Sequence, residues 1–235
     1  MNIKQTQRIA AVGMAGAAGL AIAGFTALGS IFDYPKILKE PTEHILTAYD
    51  ENHSAITAWF LVLVIGAALL APVGVLLGRI AGGTMGRWIT GVGIAAATVQ
   101  VIGLSRWVLL VPGVSQDALV PSQTASAQHT FEQLHFWLGT IVGETVGYAL
   151  TATFTVLVVI TVARRIAPRW MSWLGYAAAG LIATGVVIPL GISGAGITNF
   201  VGYIAWCLWL LAMAVVLWRA RVAAPTAAVR LPISV

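Results

Sequence analysis

Charged residues are scarce in this sequence, where Asp, Glu, Lys and Arg make up 9% of 235 residues while 59% are hydrophobic. This composition is typical of a chain that is dissolved in lipid. Cysteine occurs once, at Cys207, which excludes a disulfide framework and a CxxC redox pair within one chain. No phosphate-binding loop, Ser/His/Asp order or zinc-protease motif is visible, so ATP-driven transport and hydrolysis by a recognised scheme have no support.

What the sequence does contain is a series of long apolar runs, each about as long as the ~20 residues that cross a bilayer as a helix. Backbone polar groups in lipid must be satisfied within their own segment, so the runs are predicted to be helices and not strands. We therefore predict a single all-α domain over residues 1–235, a membrane bundle with six spans at approximately 9–31, 54–78, 88–112, 134–163, 172–191 and 199–218.

Basic residues are concentrated between particular helices. Ten of the thirteen lie on one side of the predicted bundle, here called the basic side: Lys4, Arg8, Arg79, Arg87, Arg164, Arg165, Arg169, Arg219, Arg221 and Arg230. Cytoplasmic loops retain Lys and Arg, so this side and both termini are predicted to lie in the cytoplasm of a bacterial plasma membrane. The net charge of +5 follows from this topology and gives no support for nucleic-acid binding.

The first apolar run also has features of a signal peptide, because basic residues precede it and small residues end it. Its length of about 20 residues exceeds the usual apolar region of a signal peptide, which favours a helix that is retained.

Acidic residues and histidines are distributed in the opposite way. The side of the bundle opposite the basic side is here called the acidic side. All eight Asp and Glu residues and all four histidines fall on the acidic side or in the half of a helix next to it. Positive-inside sorting does not require this, because Asp and Glu contribute little to topology. Any chemistry of the protein is therefore predicted to face outward.

Five of these residues have spacings that suit a metal site: Asp50, His53, His129, Glu132 and His135. Bundle proteins build di-iron and di-manganese sites from carboxylate-x-x-histidine spacings on facing helices. Imidazole and carboxylate also suit zinc or copper, and two histidines from different helices can hold a haem. The same residues also suit solvated helix ends, where a carboxylate is favoured by the helix dipole.

Two charges are predicted to lie within the hydrocarbon. Glu144 follows Leu134 by ten residues, or ~15 Å along a helix, and Arg106 precedes Pro112 by six, or ~9 Å. An isolated charge there costs ~3 kcal/mol, so Arg106 and Glu144 are expected to meet directly or through a water or hydroxyl. Such a pair either fixes the register of two helices or binds a proton or ligand.

Gly139, Gly143 and Gly147 recur every four residues in the fourth predicted helix. A stripe of small residues lets a neighbouring backbone approach closely. The helix is therefore predicted to be central in the bundle, and the stripe is also a candidate contact for another membrane subunit.

The connection from Ile31 to His53 is long for a compact bundle and carries Ile45, Leu46 and Tyr49 in an amphipathic stretch. It is predicted to form a short surface helix that shields the bundle, with a lid over a pocket as the functional alternative.

Three stretches, PRWMSWLGYAAAG, YIAWCLWLLAMAVVLWR and GLSRWVLLVPG, resemble an uncharacterised family of bacterial multi-helix integral membrane proteins that is classed only as a domain of unknown function. The resemblance covers most of the chain and implies a helical membrane fold. It implies no activity and no catalytic residue.

Three functional classes follow from these features. The absence of a strong motif favours a structural or accessory subunit of a membrane complex. The His/carboxylate cluster favours a metal- or haem-dependent oxidoreductase. The intramembrane charges and the candidate lid favour a small transporter or a binder of lipophilic ligands, although no inverted repeat is evident.

Overall fold

The computed structural model describes residues 1–220, so Arg221 and Arg230 lie outside the described residues. Six helices within this range are long and apolar enough to cross a membrane: α1 (Ile3–Phe32), α3 (His53–Ala81), α4 (Gly83–Ala118), α5 (Thr124–Ile166), α6 (Arg169–Leu190) and α7 (Ala195–Arg219). A short helix, α2 (Thr42–Glu51), follows a 3-10 turn at Lys36–Lys39. The described residues contain no strand, which confirms the predicted all-α fold with six spans.

The helices extend beyond the apolar runs that predicted them. α5 has 43 residues, which is about 65 Å of helix and twice the thickness of a hydrocarbon core. Its first ten residues, 124–133, are mostly polar, and they continue the helix beyond the apolar run on the acidic side. His129 and Glu132 therefore lie on a helix, as their spacing requires.

The six spans form a closed ring in chain order. Each long helix packs against the next one along the chain, and α7 returns to pack against α1. A ring of this kind has an interior to which every span contributes side chains. The candidate functional site lies in this interior.

Two hydrophobic cores fill the two ends of the ring. The basic-side core takes buried residues from all six spans, among them Met14, Leu77, Phe154, Ile182 and Trp209. The acidic-side core takes its buried residues from α1 to α5 and the 3-10 turn, and includes Phe32, Tyr49, Phe60, Trp107 and Phe131. α6 and α7 contribute no buried residue to this second core.

The connection between α1 and α3 packs onto the acidic-side core. Ile45, Leu46 and Tyr49 of α2 are buried, and the Tyr49 hydroxyl lies 2.6 Å from the Thr57 hydroxyl and donates to the Trp107 carbonyl at 3.2 Å. This confirms the predicted short helix, whose apolar face covers the bundle end.

Two of the spans depart from regular α-helical hydrogen bonding close to a proline. The helical hydrogen bonding of α3 breaks at Leu69, three residues before Pro72, which has no N–H to offer the preceding turn. α6 ends in a 3-10 segment, Thr184–Leu190, that contains Pro189. Gly191 and Gly194 then turn the chain with positive φ angles of 73° and 84°, which glycine adopts without strain.

Candidate functional site

The fourth span departs from α-helical geometry in its acidic-side half. From His135 to Val146 the backbone has π-helical hydrogen bonding, in which residues five apart are joined. The Thr145 side chain follows the same spacing and donates to the Thr140 carbonyl at 2.8 Å. π-helical segments are rare, usually span a single turn and are frequent at functional sites. A stretch of 12 residues therefore singles out this part of α5.

This geometry changes which side chains share a face. His135 and Glu144 are nine residues apart, which is two and a half turns of an α-helix and would put them on opposite faces. A π-helical turn takes between four and five residues, so nine residues make about two turns. The π-helical stretch therefore turns His135 and Glu144 towards the same side of α5, the side that faces α4.

The glycine stripe of α5 provides the contact with α4. A Cβ atom placed on Gly143 would lie 2.9 Å from the Gly103 Cα, and one placed on Gly139 would lie 2.7 Å from the Arg106 Nη2. The predicted close approach of a neighbouring helix is thus confirmed, and that helix belongs to the same chain. Binding of another membrane subunit through this stripe stays a prediction.

Arg106 projects from α4 into this contact and is only 3% exposed. Its Nη1 donates to the Gly103 carbonyl, and its Nη2 lies 3.5 Å from His135 Nδ1, which accepts because arginine can only donate. The guanidinium carbon lies 5.3 Å from the centre of the Trp107 ring, within range of a cation–π interaction. Its Nε–H has no hydrogen-bond partner within residues 1–220.

Glu144 does not pair directly with Arg106. Within residues 1–220 the one ion pair is that of Lys36 with Asp33, at 2.8 Å on the surface. Glu144 nevertheless lies within electrostatic range of the Arg106 guanidinium. A direct contact is therefore not found, and Arg106 is a buried cation with a carboxylate nearby but out of ion-pair contact. Contact through a water or a hydroxyl stays a prediction.

Three tyrosines from different parts of the chain surround these charges. Tyr34 follows α1, Tyr148 lies one turn after Glu144 on α5, and Tyr203 belongs to α7, and all three lie within electrostatic range of Glu144. Groups from α4, α5, α7 and the turn after α1 can be this close only in the interior of the ring. Glu144 and the three tyrosines each keep partial exposure. Together with Arg106 they form the group of side chains that is here called the polar crevice.

The tyrosines are held by contacts with small and polar residues. The Tyr148 ring lies against Gly185 of α6, where a Cβ atom would overlap it, and its centre is 5.7 Å from that of the Tyr203 ring. The Tyr203 hydroxyl lies beside the Thr151 hydroxyl, which accepts from Gln100 Nε2 at 2.7 Å. Polar groups thus continue from the polar crevice towards the basic-side core, where apolar packing replaces them.

Tyr34 lies at the acidic-side edge of the crevice, next to the end of α1. Its ring packs edge-on against Phe60 with 5.2 Å between ring centres, and it stacks on Phe25 at 5.9 Å. Burial raises the pKa of Tyr34 to about 12, against the opposing effect of the Arg106 charge. Its phenol therefore stays neutral and remains a hydrogen-bond donor throughout the physiological pH range.

Three of the five residues of the predicted metal site contact different partners. Asp50 accepts from Gln116 Nε2 at 3.1 Å, Glu132 accepts from the Thr42 hydroxyl at 3.1 Å, and His135 contacts Arg106. His53 and His129 are exposed.

Within residues 1–220, no group of three or more His, Cys, Asp or Glu residues could hold a metal ion. The predicted convergence of the five residues is therefore not found, because two carboxylates tie surface segments together and His135 turns into the ring. Binding of a metal or haem through these residues stays a prediction.

The polar crevice includes residues that the sequence patterns above do not single out. Tyr148 and Tyr203 each end a Val-Gly-Tyr triplet, one in α5 and one in α7. Both glycines of the triplets are buried in the structure. The signal that the sequence contains is the repeat of one triplet with a polar aromatic residue inside two apolar spans. Tyr34 has no such signal, because its place in the site depends on how the chain turns after α1.

Comparison with known proteins places the chain in one family. The sequence matches the family described as "Domain of unknown function (DUF4386)" over residues 9–214, and the chain belongs to this family. No curated protein and no solved structure matches the chain. The predicted family resemblance is confirmed, and the family contributes no activity with which the site can be compared.

Proposed function

We propose that this member of the DUF4386 family binds a small anionic molecule within the membrane, in the polar crevice, as a small transporter or ligand-binding protein. The observation that carries the proposal is Arg106, a guanidinium that is 3% exposed and has no carboxylate within ion-pair distance in residues 1–220. A buried charge without a partner is strongly unfavourable, and intramembrane ionisable residues commonly mark substrate or ion pathways.

The surroundings of Arg106 support a ligand site over a purely structural role. A structural ion pair would bring Glu144 into contact, but the carboxylate stands apart and keeps partial exposure. Three tyrosine side chains add an amphipathic lining of aromatic faces and hydroxyl groups. A few placed polar groups in an otherwise apolar cleft are typical of small-molecule sites.

We propose that the ligand enters from the acidic side. The basic-side core closes the ring with side chains from all six spans, whereas α6 and α7 give no buried residue to the acidic-side core. The distribution of Lys and Arg supports a cytoplasmic basic side, in which case the polar crevice faces the outside of the cell.

Thermal unfolding of the purified protein in a neutral detergent tests this function, with hexanoate as an anionic probe and hexanol and hexylammonium as controls of equal chain length. At a hundred times its dissociation constant, a ligand stabilises the folded state by ~2.7 kcal/mol. We expect hexanoate to raise the Tm of the wild-type protein by several degrees, and the two controls to have no comparable effect.

The matched variants are Arg106→Gln and Arg87→Gln. Arg87 lies on the same helix but is exposed at its basic-side end. We expect the hexanoate-dependent shift to disappear in Arg106→Gln and to persist in Arg87→Gln. Equal shifts in both variants, or an equal response to hexanol, would refute an anion site at Arg106.

A further inference from the structure

We infer that the polar crevice binds a carboxylate together with one proton, and that Glu144 takes up this proton. The inference rests on the proposed function, because it names the ligand class and the charge balance of the same site. It follows from the free donors of Arg106 and from the groups that face Glu144.

The unused donors of Arg106 fit a carboxylate. Nη1 is bound to the Gly103 carbonyl, whereas Nε has no partner within residues 1–220 and Nη2 has only the 3.5 Å contact with His135. Nε–H and one Nη2–H lie along the same edge of the planar guanidinium, at a spacing that matches the two oxygens of a carboxylate. Because Arg106 is 3% exposed, neighbouring side chains must move before a ligand reaches this edge.

Arg106 is the one positive charge among the groups that face Glu144 in the described part of the chain. The end of α1 contributes Tyr34, α4 contributes Arg106, and α7 contributes Tyr203 with Cys207 beside it. α5 itself contributes Tyr148 and His135, and the segment of α6 that packs on it, Thr184–Leu190, has no ionisable side chain. Tyrosine is neutral near pH 7, so Arg106 alone compensates an ionised Glu144.

A carboxylate ligand on Arg106 would therefore leave Glu144 without compensation. Two carboxylates that share one cation in a poorly hydrated site cannot both stay ionised at low cost, so one of them takes a proton. The ligand brings one negative charge and the proton one positive charge. The total charge of the crevice is then the same before and after binding, with the protonated Glu144 able to donate a hydrogen bond to the bound carboxylate.

Isothermal titration calorimetry with hexanoate tests the inference on the full-length protein in a neutral detergent. Titrations at the same pH in Bis-Tris and in Tris, two cationic buffers whose heats of ionisation differ, give the number of protons taken up per ligand. We expect close to one proton for the wild-type protein. We also expect its apparent affinity to fall about tenfold for each pH unit above neutrality, because ligand and proton bind together.

Glu144→Gln removes the proton acceptor and keeps the shape of the side chain. We expect this variant to bind hexanoate without proton uptake and with an affinity that no longer depends on pH. Asp50→Asn, an acidic residue outside the crevice, should retain the uptake.

Hexanoate binding by the wild-type protein with no proton uptake would overturn the inference and leave the proposed function standing. So would uptake that persists in Glu144→Gln. Absence of hexanoate binding in the wild-type protein would instead overturn the proposed function. Arg106→Lys separates the two contributions of the guanidinium, because it keeps the charge and loses the paired donors, so it should bind at least tenfold more weakly with uptake unchanged.

Discussion

The contact between Gly103 and Gly143 holds α4 and α5 together at the level of the candidate site, so its disruption is a direct test of the arrangement. An alanine at position 143 would place its Cβ 2.9 Å from the Gly103 Cα and 3.1 Å from the Leu138 carbonyl oxygen. Carbon atoms in ordinary contact are ~3.5 to 4.0 Å apart, so the helices must separate by at least ~0.6 Å. Backbone atoms on both sides leave no flexible side chain to yield.

Overpacking of this kind costs ~1 to 3 kcal/mol, which corresponds to a fall in Tm of about 2 to 12 °C for a chain of this size. Gly103→Ala meets the same contact from the other side, with its Cβ 2.6 Å from the Gly143 Cα, and should cost at least as much. Gly91→Ala is the matched control on α4, since no atom lies within 4 Å of its added Cβ. Its Tm should stay level or rise, because alanine favours a helix over glycine.

The assay is thermal unfolding of the three variants and the wild-type protein in the same detergent, followed by near-ultraviolet circular dichroism. If Gly143→Ala and Gly103→Ala unfold at the same temperature as Gly91→Ala, the close contact of α4 with α5 does not exist. The placement of Arg106 next to the π-helical stretch would then fail with it.

Three further predictions follow from other contacts. His135→Ala should lower the unfolding free energy by ~1 to 3 kcal/mol, since His135 stacks on Phe131 and accepts a hydrogen bond from Arg106. His129 is exposed, so His129→Ala should change the unfolding free energy by less than ~0.5 kcal/mol. Equal effects would contradict the placement of His135 inside the ring. Tyr49→Phe should lower the free energy of chemical unfolding by ~1 to 2 kcal/mol, because it removes two hydrogen bonds at a fully buried hydroxyl. The Tyr176 hydroxyl has no hydrogen bond within residues 1–220, so Tyr176→Phe should leave the free energy of unfolding unchanged. Single cysteines introduced at positions 48 and 118 should react with an impermeant maleimide added to intact cells, and those at 83 and 167 should not. The reverse labelling pattern would overturn the proposed orientation. Cys207 is buried and adds little background labelling.

The sequence predicts the six spans well because lipid imposes a strong condition on length and apolarity. The same condition does not locate the ends of the helices. Residues 124–133 are too polar for the hydrocarbon, yet they continue α5 by ten residues, since a helix outside the bilayer needs only ordinary helix-forming residues and partial packing. Phe131 and Ala127 supply that packing by entering the acidic-side core.

The candidate site is predicted only in part, and the reason is geometric. Arg106 and Glu144 stand out because charge inside an apolar run is costly, and both lie in the ring interior. Their relation to each other, and that of His135 to both, depends on the π-helical stretch, whereas positions read from sequence assume 3.6 residues per turn. The five-residue metal cluster fails to assemble for the same kind of reason, because helical spacing restricts the face of one helix and leaves the position of the next helix open.

The two charges of the site differ in how firmly they are held. Arg106 lies on a regular helix, and its Nη1 donates to the Gly103 carbonyl. Its guanidinium packs against Gly139, where an added Cβ atom would lie 2.7 Å from Nη2. Contacts with the backbone of both helices therefore fix the position of Arg106. Glu144 sits on the π-helical stretch, whose residues are mostly half-buried, and within residues 1–220 its carboxylate has no ion-pair partner. A fixed cation with a carboxylate nearby but out of contact suits ligand binding better than structural pairing, because an incoming anion can bind Arg106 without displacing Glu144 and without disturbing the contact between α4 and α5.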